Sequence, residues 1–221
     1  MELICLTGMD GAGKTTLAHK LVNTLQQQGQ SAVYIYGRTY PIISRLLMAL
    51  GRITLLREND QWQDYQAYNT NKKQTMRHPL LKWVYTAAIL IDYYLQIWLK
   101  LLPHLFSQRV VVSDRYVYDT IISDLAAHLN YSLPQTARAI ARGLVWLPYP
   151  KLTIVIDLPA EVAFARKTDV PHPDYLRERR QWYQQLVSRP EVEQLNGEAD
   201  LETIHQALVA KVSQRQTKEA Q

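Results

Sequence analysis

A glycine-rich segment near the N-terminus, Gly8-Met9-Asp10-Gly11-Ala12-Gly13-Lys14-Thr15, constrains this chain more than any other feature. It matches the pattern G-x-x-x-x-G-K-[ST] without a gap. The apolar run 2–7 before it predicts a buried strand, and 14–28 after it has the apolar spacing of a helix that ends at Gly29. A strand, this motif and a helix in succession are typical of a phosphate-binding loop.

Each residue type in this loop has a physical task. Glycines reach backbone angles that side chains forbid, so successive N–H groups can point at phosphate oxygens. Lys14 would bring a positive charge to the β- and γ-phosphates, and the Thr15 hydroxyl would ligate Mg²⁺. The sequence therefore predicts ATP and Mg²⁺ as cofactors. The ATP-binding residues predicted here are Gly8, Asp10, Gly11, Ala12, Gly13, Lys14, Thr15 and Thr16.

Apolar runs that read as strands alternate with helical segments along the rest of the chain. Further strands are predicted at 32–36, 109–114, 152–158 and near 192–195. Further helices are predicted at 41–50, 62–76, 79–102, 118–128, 134–144, 159–167, 175–187 and 201–213. This alternation predicts an α/β protein in which helices cover both faces of a parallel sheet. We expect a single domain over 1–213 with a short lid around 168–176, and a disordered tail at 214–221.

Composition narrows the function classes. The 221 residues carry a net charge of +5, which suits an anionic ligand, but no five consecutive basic residues occur, so nucleic acid is not a predicted partner. Cys5 is the one cysteine, which excludes an internal disulfide and predicts a reduced, cytoplasmic environment. Residues 83–102 are largely apolar but include Asp92, Gln96 and Lys100, so we expect a buried helix rather than a membrane span.

Charged residues follow the ends of the second and third predicted strands. Asp114 could reach Mg²⁺ through water, and Asp157 at the end of the next strand is the alternative. Asp114 is preferred because Arg115 follows it directly. The carboxyl ends of parallel strands meet at one edge, so we expect Arg38 and Arg115 to face the site and bind phosphate there.

Four arginines flank a proline-bearing break at 169–174, namely Arg166, Arg177, Arg179 and Arg180. The break could be a lid that closes over the γ-phosphate and excludes water. The arginines after it could equally form a solvated helix face. The sequence leaves both interpretations open.

Four motifs in this order resemble the thymidylate kinase family. They are GMDGAGKTT at 8–16, Arg38, DRY at 114–116 and LTIVIDLPAEVAFARK at 152–167. The resemblance implies the three-layer P-loop NTPase fold, with a five-stranded parallel sheet flanked by helices. It also implies transfer of the γ-phosphoryl group of ATP to a deoxynucleoside monophosphate. It also suggests a homodimer formed through the long helix.

The resemblance also implies roles for individual residues. Arg38 and Arg115 would hold the phosphate of the acceptor, with Asp10 nearby in the loop, and Tyr116 would line its sugar. Arg166 would lie beside the adenine of ATP. The predicted catalytic residues are therefore Lys14, Asp10, Arg115 and Arg38, the predicted metal ligands are Thr15 and Asp114, and the predicted acceptor-binding residues are Arg38, Arg115 and Tyr116.

The chain departs from the family pattern on the acceptor side. Where the family has an Asp-Arg pair on the long helix, this chain has Asp92-Tyr93, and Asp119, Ser123 and Asp124 follow DRY. An acidic residue near the acceptor would repel phosphate and favour hydroxyls or a base amino group. Our hypothesis is that the acceptor differs from thymidylate in its base or is not a nucleotide.

Two other functions stay open at this point. The chain could phosphorylate another small acceptor, such as a nucleoside, a sugar or a lipid precursor. It could also be an ATP-binding interaction protein whose acceptor site has decayed.

Overall fold

A five-stranded parallel sheet forms the centre of the protein in a computed structural model that describes residues 1–40, 42, 78–166 and 172–219. The strands are β1 (Glu2–Gly8), β2 (Ala32–Tyr36), β3 (Val110–Asp114), β4 (Leu152–Asp157) and β5 (Val192–Asn196). Their spatial order is β2-β3-β1-β4-β5, and every pairing is parallel. The predicted sheet is therefore confirmed. The apolar residues of β1, β3 and β4 are almost completely buried, as expected for parallel strands covered on both faces.

Helices flank this sheet. They are α1 (Lys14–Gln27), α2 (Pro79–Leu101), α3 (117–129), α4 (Leu133–Leu144), α5 (Ala160–Ala165), α6 (Pro173–Leu186) and α7 (Leu201–Glu219). In α3, a π-helical stretch at Thr120–Ala126 separates short α-helical turns at Val117–Asp119 and Ala127–Leu129. Helix α1 contacts α7, while α6 contacts both α3 and α4. This α/β arrangement is consistent with the predicted P-loop NTPase fold.

The strand register brings the ends of four strands to one edge. Leu6 of β1 and Tyr36 of β2 both lie opposite Asp114 of β3, and Gly8 lies opposite Ile156 of β4. The glycine-rich loop starts at this edge, where ligands bind in open parallel sheets.

The C-terminal tail corrects one prediction. Helix α7 continues to Glu219, although the sequence predicted disorder from 214. The Gln216 side-chain amide lies 3.2 Å from both Gln30 and Glu2, so contacts with β1 and with the loop that follows α1 accompany the extension of the helix beyond its apolar pattern.

Several predictions fall outside the described residues. The helices predicted at 41–50 and 62–76 lie outside the described residues, except for Ile42. The part of the predicted lid at 168–171 also lies outside them. The remainder of that lid, from Pro173, forms the start of α6.

Helix α2 is only partly the buried helix that the sequence predicted. One face is buried in the core and includes Tyr85, Ile89, Tyr93, Ile97 and Leu101. The other face leaves more than half of Trp83, Ile91, Leu95 and Leu99 exposed. Across the described ranges, no helix has both the length and the apolarity to cross a bilayer.

Candidate active site

The glycine-rich loop is held by backbone conformations that only glycine adopts readily. Gly8, Gly11 and Gly13 have φ angles of 140°, 90° and 80°. A Cβ on Gly11 would lie 2.7 Å from the carbonyl oxygen of Ala163, and one on Gly8 would lie 2.6 Å from that of Ile156. The loop is therefore pressed against β4 and α5, and side chains at these positions would displace it.

Lys14 lies inside this loop. Its Nζ donates to the carbonyl oxygens of Gly8 and Met9, each at 2.8 Å, and the residue is 4% exposed. Burial, followed by the positive charge of Arg115, lowers the pKa of Lys14 to about 8. The ammonium group is thus still mainly protonated at neutral pH, in the position where the motif predicts phosphate binding.

Thr15 and Asp114 meet beside Lys14. The Thr15 hydroxyl donates to Oδ2 of Asp114 at 2.5 Å, and the Tyr34 hydroxyl donates to the same oxygen at 3.2 Å. The other oxygen, Oδ1, is buried and has no hydrogen-bond partner within the part of the chain that the structure describes. A buried carboxylate oxygen without a partner is costly unless a water or a cation completes it. The pair therefore fits Mg²⁺, the metal that the loop implies.

Asp157, the alternative metal-side carboxylate, is engaged elsewhere. Arg180 donates to its two oxygens at 2.9 and 3.0 Å. These hydrogen bonds lower the pKa of Asp157 below its usual range. The structure thus places Asp114, rather than Asp157, against Thr15.

Arg115 has a left-handed backbone conformation, and its side chain contacts the glycine-rich loop. Its φ is 71°, its N–H donates to the carbonyl of Leu6 at 2.8 Å, and its guanidinium forms an ion pair with Asp10. The same guanidinium donates to the Tyr36 hydroxyl at 2.7 Å. A left-handed conformation costs a non-glycine residue about 1–2 kcal/mol, so the surrounding contacts hold this orientation against strain.

The charges of Asp10 and Arg115 stabilise each other's ionised form. Burial opposes ionisation of Asp10, but the neighbouring cations, above all Lys14 and Arg115, hold its pKa below the usual range. Burial also opposes the charge of Arg115, yet the carboxylates of Asp119 and Asp10 raise its pKa further. Asp10 is therefore an anion and Arg115 a cation throughout the physiological range.

Arg38 lies between this group and a cleft that we call the side cleft. The cleft has a volume of about 130 Å³, and its walls include Arg38, Tyr85, Ile89, Asp92, Thr120 and Asp124. Arg38 donates to Asp124 at 3.1 Å, and this carboxylate raises the pKa of Arg38. The positive charge of Arg38 also contributes to the lowered pKa of Asp10. The side cleft and the glycine-rich loop thus adjoin at Arg38.

Tyr116 is not placed as the resemblance implied. Its side chain is fully buried and its hydroxyl donates to the carbonyl of Pro148 at 2.9 Å. The predicted contact with an acceptor sugar is therefore wrong: the ring belongs to the core.

Asp119 is also a core residue rather than part of the acceptor surface. It accepts hydrogen bonds from the Thr7 hydroxyl at 2.8 Å, the Tyr183 hydroxyl at 3.0 Å and the Tyr116 N–H at 3.0 Å. Burial raises its pKa. Of the two acidic residues expected near an acceptor, Asp124 alone lines the side cleft.

Tyr93 occupies the position where the family pattern has arginine on the long helix, and it is not among the residues that line the side cleft. Tyr93 is fully buried, and its hydroxyl has no hydrogen-bond partner among the described residues. Its neighbour Asp92 does line the side cleft, and accepts a hydrogen bond from the Ile42 N–H at 3.1 Å.

The arginines of α6 have different environments. Arg177 is exposed and pairs with Glu161 at 2.9 Å and Asp174 at 2.7 Å, as a solvated face would. Arg179 is buried instead, where it donates to the carbonyl of Ser123 at 3.3 Å and lies over the Tyr175 ring. Neither arrangement tests a lid, whose predicted break includes residues outside the described ones.

Arg166 lies at the end of α5, one turn after the backbone that touches Gly11. It is exposed and donates to the carbonyl of Gly197 at 3.1 Å. Its predicted place beside an adenine stays a prediction.

Sequence reasoning missed three residues of this site. They are Tyr34 and Tyr36, which lie near the end of β2, and Gly37, which follows that strand. A Cβ on Gly37 would lie 1.9 Å from the Arg115 carbonyl oxygen, so glycine is required there. The alternation of two tyrosines towards a strand end, followed by glycine, was the available signal.

Comparison with known proteins agrees with the motifs. The family model for adenylylsulphate kinase matches residues 2–59. The chain is 26% identical over 224 residues to a probable thymidylate kinase of Thermococcus onnurineus, covering 95% of this chain and 96% of the relative. It is 25% identical over 226 residues to a probable thymidylate kinase of Thermococcus gammatolerans, covering 96% of this chain and 95% of that relative. The predicted resemblance is confirmed, and these similarities together indicate a P-loop kinase.

Proposed function

We propose that this chain is a nucleoside monophosphate kinase that transfers the terminal phosphoryl group of ATP to a (deoxy)nucleoside monophosphate. One observation carries the proposal. The Arg115–Asp10 ion pair and the Arg38–Asp124 pair lie side by side at the mouth of the glycine-rich loop. A phosphate-binding loop for the donor is thus joined to arginines that suit a second, acceptor phosphate. The two relatives named probable thymidylate kinase support the same reaction.

On the donor side, the residues of the glycine-rich loop would bind the phosphates of ATP. Lys14 would leave the carbonyls of Gly8 and Met9 and donate to the β- and γ-phosphates. Thr15 and Asp114 are the residues that would hold Mg²⁺, which supplies charge neutralisation at those phosphates. Arg166 would lie beside the adenine.

On the acceptor side, Arg115 and Arg38 would bind the phosphate of the monophosphate, and Asp10 would orient Arg115. An acceptor phosphate oxygen forms a bond to the γ-phosphorus while the bond from that phosphorus to the β-bridging oxygen breaks, which releases ADP. The attacking oxygen is already ionised at neutral pH, since the second phosphate pKa is about 6, so no general base is needed. Catalysis then rests on positioning and charge stabilisation.

The proposal also covers the oligomeric state and the cellular environment of the protein. The exposed apolar face of α2 supports a homodimer formed through that helix. Cys5 is a buried free thiol, and burial raises its pKa, so it is not a nucleophile. A reduced, cytoplasmic environment suits such a thiol.

A coupled assay of ADP release tests the proposal. We expect ATP consumption that depends on Mg²⁺ and rises when nucleoside monophosphates are added. Lys14→Ala should reduce it by several orders of magnitude, and Arg115→Ala by two or three, the equivalent of ~3–4 kcal/mol of charge stabilisation. Stimulation by nucleosides or sugars but by none of the monophosphates would contradict the proposal and favour another small acceptor.

A further inference from the structure

Three polar side chains of α2 are spaced four residues apart and therefore lie in one row along the helix. They are Asp92, Gln96 and Lys100, which we call the polar stripe. We infer that the residues of the polar stripe position Arg38, because they bind the backbone of the segment 36–42 that carries this arginine. The inference rests on the proposed function, in which Arg38 binds the phosphate of the acceptor.

Lys100 makes two contacts with this segment. Its Nζ donates to the carbonyl oxygen of Tyr36 at 2.7 Å and to that of Arg38 at 3.0 Å, and it lies 5.8 Å from the centre of the Tyr36 ring. A hydrogen bond from a charged donor is roughly twice as strong as one between neutral groups. One side chain of α2 therefore holds the backbone on both sides of Gly37.

The other two residues of the polar stripe continue this pattern along the segment. The Gln96 side chain accepts from the Tyr40 N–H at 3.0 Å and donates to the Tyr40 carbonyl oxygen at 2.7 Å. Asp92 accepts from the Ile42 N–H at 3.1 Å. Every second residue from 36 to 42 thus has a backbone group that is hydrogen-bonded to the stripe.

The geometry of a helix explains this spacing. Four residues of an α-helix rise about 6 Å, and two residues of an extended chain advance about 6.6 Å. A chain that runs along α2 in the opposite direction therefore meets a stripe residue at about every second position. The polar stripe thus matches the backbone of the segment beside it, which gives these three polar residues a role in the apolar part of α2.

The segment is held on its other side by the end of β3. The Gly37 N–H donates to the carbonyl oxygen of Asp114 at 2.8 Å, and a Cβ on Gly37 would clash with the carbonyl oxygen of Arg115. The segment therefore lies between the Arg115 backbone and α2. From this segment the Arg38 guanidinium reaches Asp124, to which it donates at 3.1 Å. Movement of the segment away from α2 would displace Arg38 relative to Arg115, the second arginine assigned to the acceptor phosphate.

Lys100→Met tests the inference by steady-state kinetics. It removes two hydrogen bonds to the segment and keeps an unbranched side chain that can pack in the same place. With the nucleoside monophosphate that the wild-type protein phosphorylates fastest, kcat/KM should fall at least about tenfold, or ~1.4 kcal/mol, chiefly through a higher KM for that acceptor. A displacement of about 1 Å can cost about a hundredfold in rate, so this loss is within reach of a small shift of Arg38.

ATP binding separates this role from a general loss of structure. The polar stripe contacts the segment 36–42 and not the glycine-rich loop, so calorimetric affinity of Lys100→Met for Mg²⁺ and ATP should stay within about twofold of the wild-type value. Lys211→Met is the matched control, because it removes an ammonium group that pairs with Glu193 of β5. It should change neither the affinity for ATP nor the KM for the acceptor.

Hydrogen exchange at the Tyr40 amide gives a second test that does not depend on activity. The Tyr40 residue is 74% exposed, yet its N–H is hydrogen-bonded to Gln96. Gln96→Leu should therefore increase the exchange rate of this amide at least about tenfold. Gln96→Glu keeps an acceptor for the N–H and should retain most of the protection. Equal exchange rates in the wild-type protein and Gln96→Leu would contradict the inference.

The inference and the proposed function can fail separately. If the wild-type protein phosphorylates a monophosphate and Lys100→Met does so equally well, or loses affinity for ATP to the same extent, the inference is overturned and the proposed function stands. If the wild-type protein phosphorylates no monophosphate, the proposed function is overturned. Faster exchange of the Tyr40 amide in Gln96→Leu would then still support the polar stripe as the element that positions the segment with Arg38.

Discussion

The buried ammonium group of Lys14 makes ATP binding depend on pH. In the free protein, burial and Arg115 lower the pKa of Lys14 to about 8. The negative charge of bound phosphates would stabilise the ammonium form and raise this pKa in the complex. The free protein then loses a proton near pH 8 that the complex retains, so binding takes up a proton above that pH.

The sign and the size of the effect follow from this difference. If the complex keeps Lys14 protonated, affinity for ATP is nearly constant below pH 7 and falls as the pH rises through 8. Between pH 7 and pH 9 the dissociation constant should increase about tenfold, or ~1.4 kcal/mol. Phosphate groups themselves do not change charge in this window, because their second pKa is about 6.

Calorimetric titration of Mg²⁺ and ATP at several pH values, in buffers that differ in ionisation enthalpy, measures both affinity and proton uptake. Lys14→Arg is the matched control, because a guanidinium stays charged across the range and the pH dependence should disappear. If the wild-type protein and Lys14→Arg show the same dependence on pH, or if wild-type affinity stays within twofold from pH 7 to 9, the reasoning is refuted.

Three substitutions test other parts of the site. The free energy of unfolding of Arg115→Gly should exceed that of Arg115→Ala by about 1 kcal/mol in denaturant titrations. Both variants lose the guanidinium, but glycine also relieves the left-handed strain at φ 71°. Equal stability of the two variants would argue against strain. Gly11→Ala should lose ATP binding by calorimetry, since its Cβ would lie 2.7 Å from a carbonyl oxygen at φ 90°; wild-type affinity would show that the loop tolerates the displacement. Asp119→Ala should lose ~3 kcal/mol or more of unfolding free energy in urea titrations, because three buried donors lose their acceptor. A loss below 1 kcal/mol would mean that water replaces the carboxylate.

The features that were predictable from the sequence are set by local patterns. The loop at 8–15 can be identified from the spacing of its residues alone. The strands appear as short apolar runs because both faces of a parallel sheet are buried. Thr15 and Asp114 were each predicted as metal ligands, and they lie in contact because strand ends converge at one edge.

The features that the sequence did not reveal depend on which way side chains point in the folded chain. Tyr116 ends the DRY motif and Asp119 lies three residues later, yet both are buried, with hydrogen bonds to Pro148 and Thr7 respectively. The pairing of Arg38 with Asp124 joins residues that are far apart in the chain. No local pattern specifies such contacts.

The end of the chain illustrates the same limit. Disorder was predicted for residues 214–221 because the last residues of a domain are often poorly ordered. The Gln216 amide instead lies near Gln30 and Glu2, polar contacts that periodicity does not detect.

Direct transfer of phosphate tests the central claim best. Purified protein would be incubated with Mg²⁺, ATP labelled in its terminal phosphate, and each nucleoside monophosphate in turn, and the labelled products would be separated. We predict that the label appears in a nucleoside diphosphate, and that Lys14→Ala abolishes its formation. Label recovered solely as ATP and inorganic phosphate with every monophosphate would contradict a kinase that acts on these acceptors.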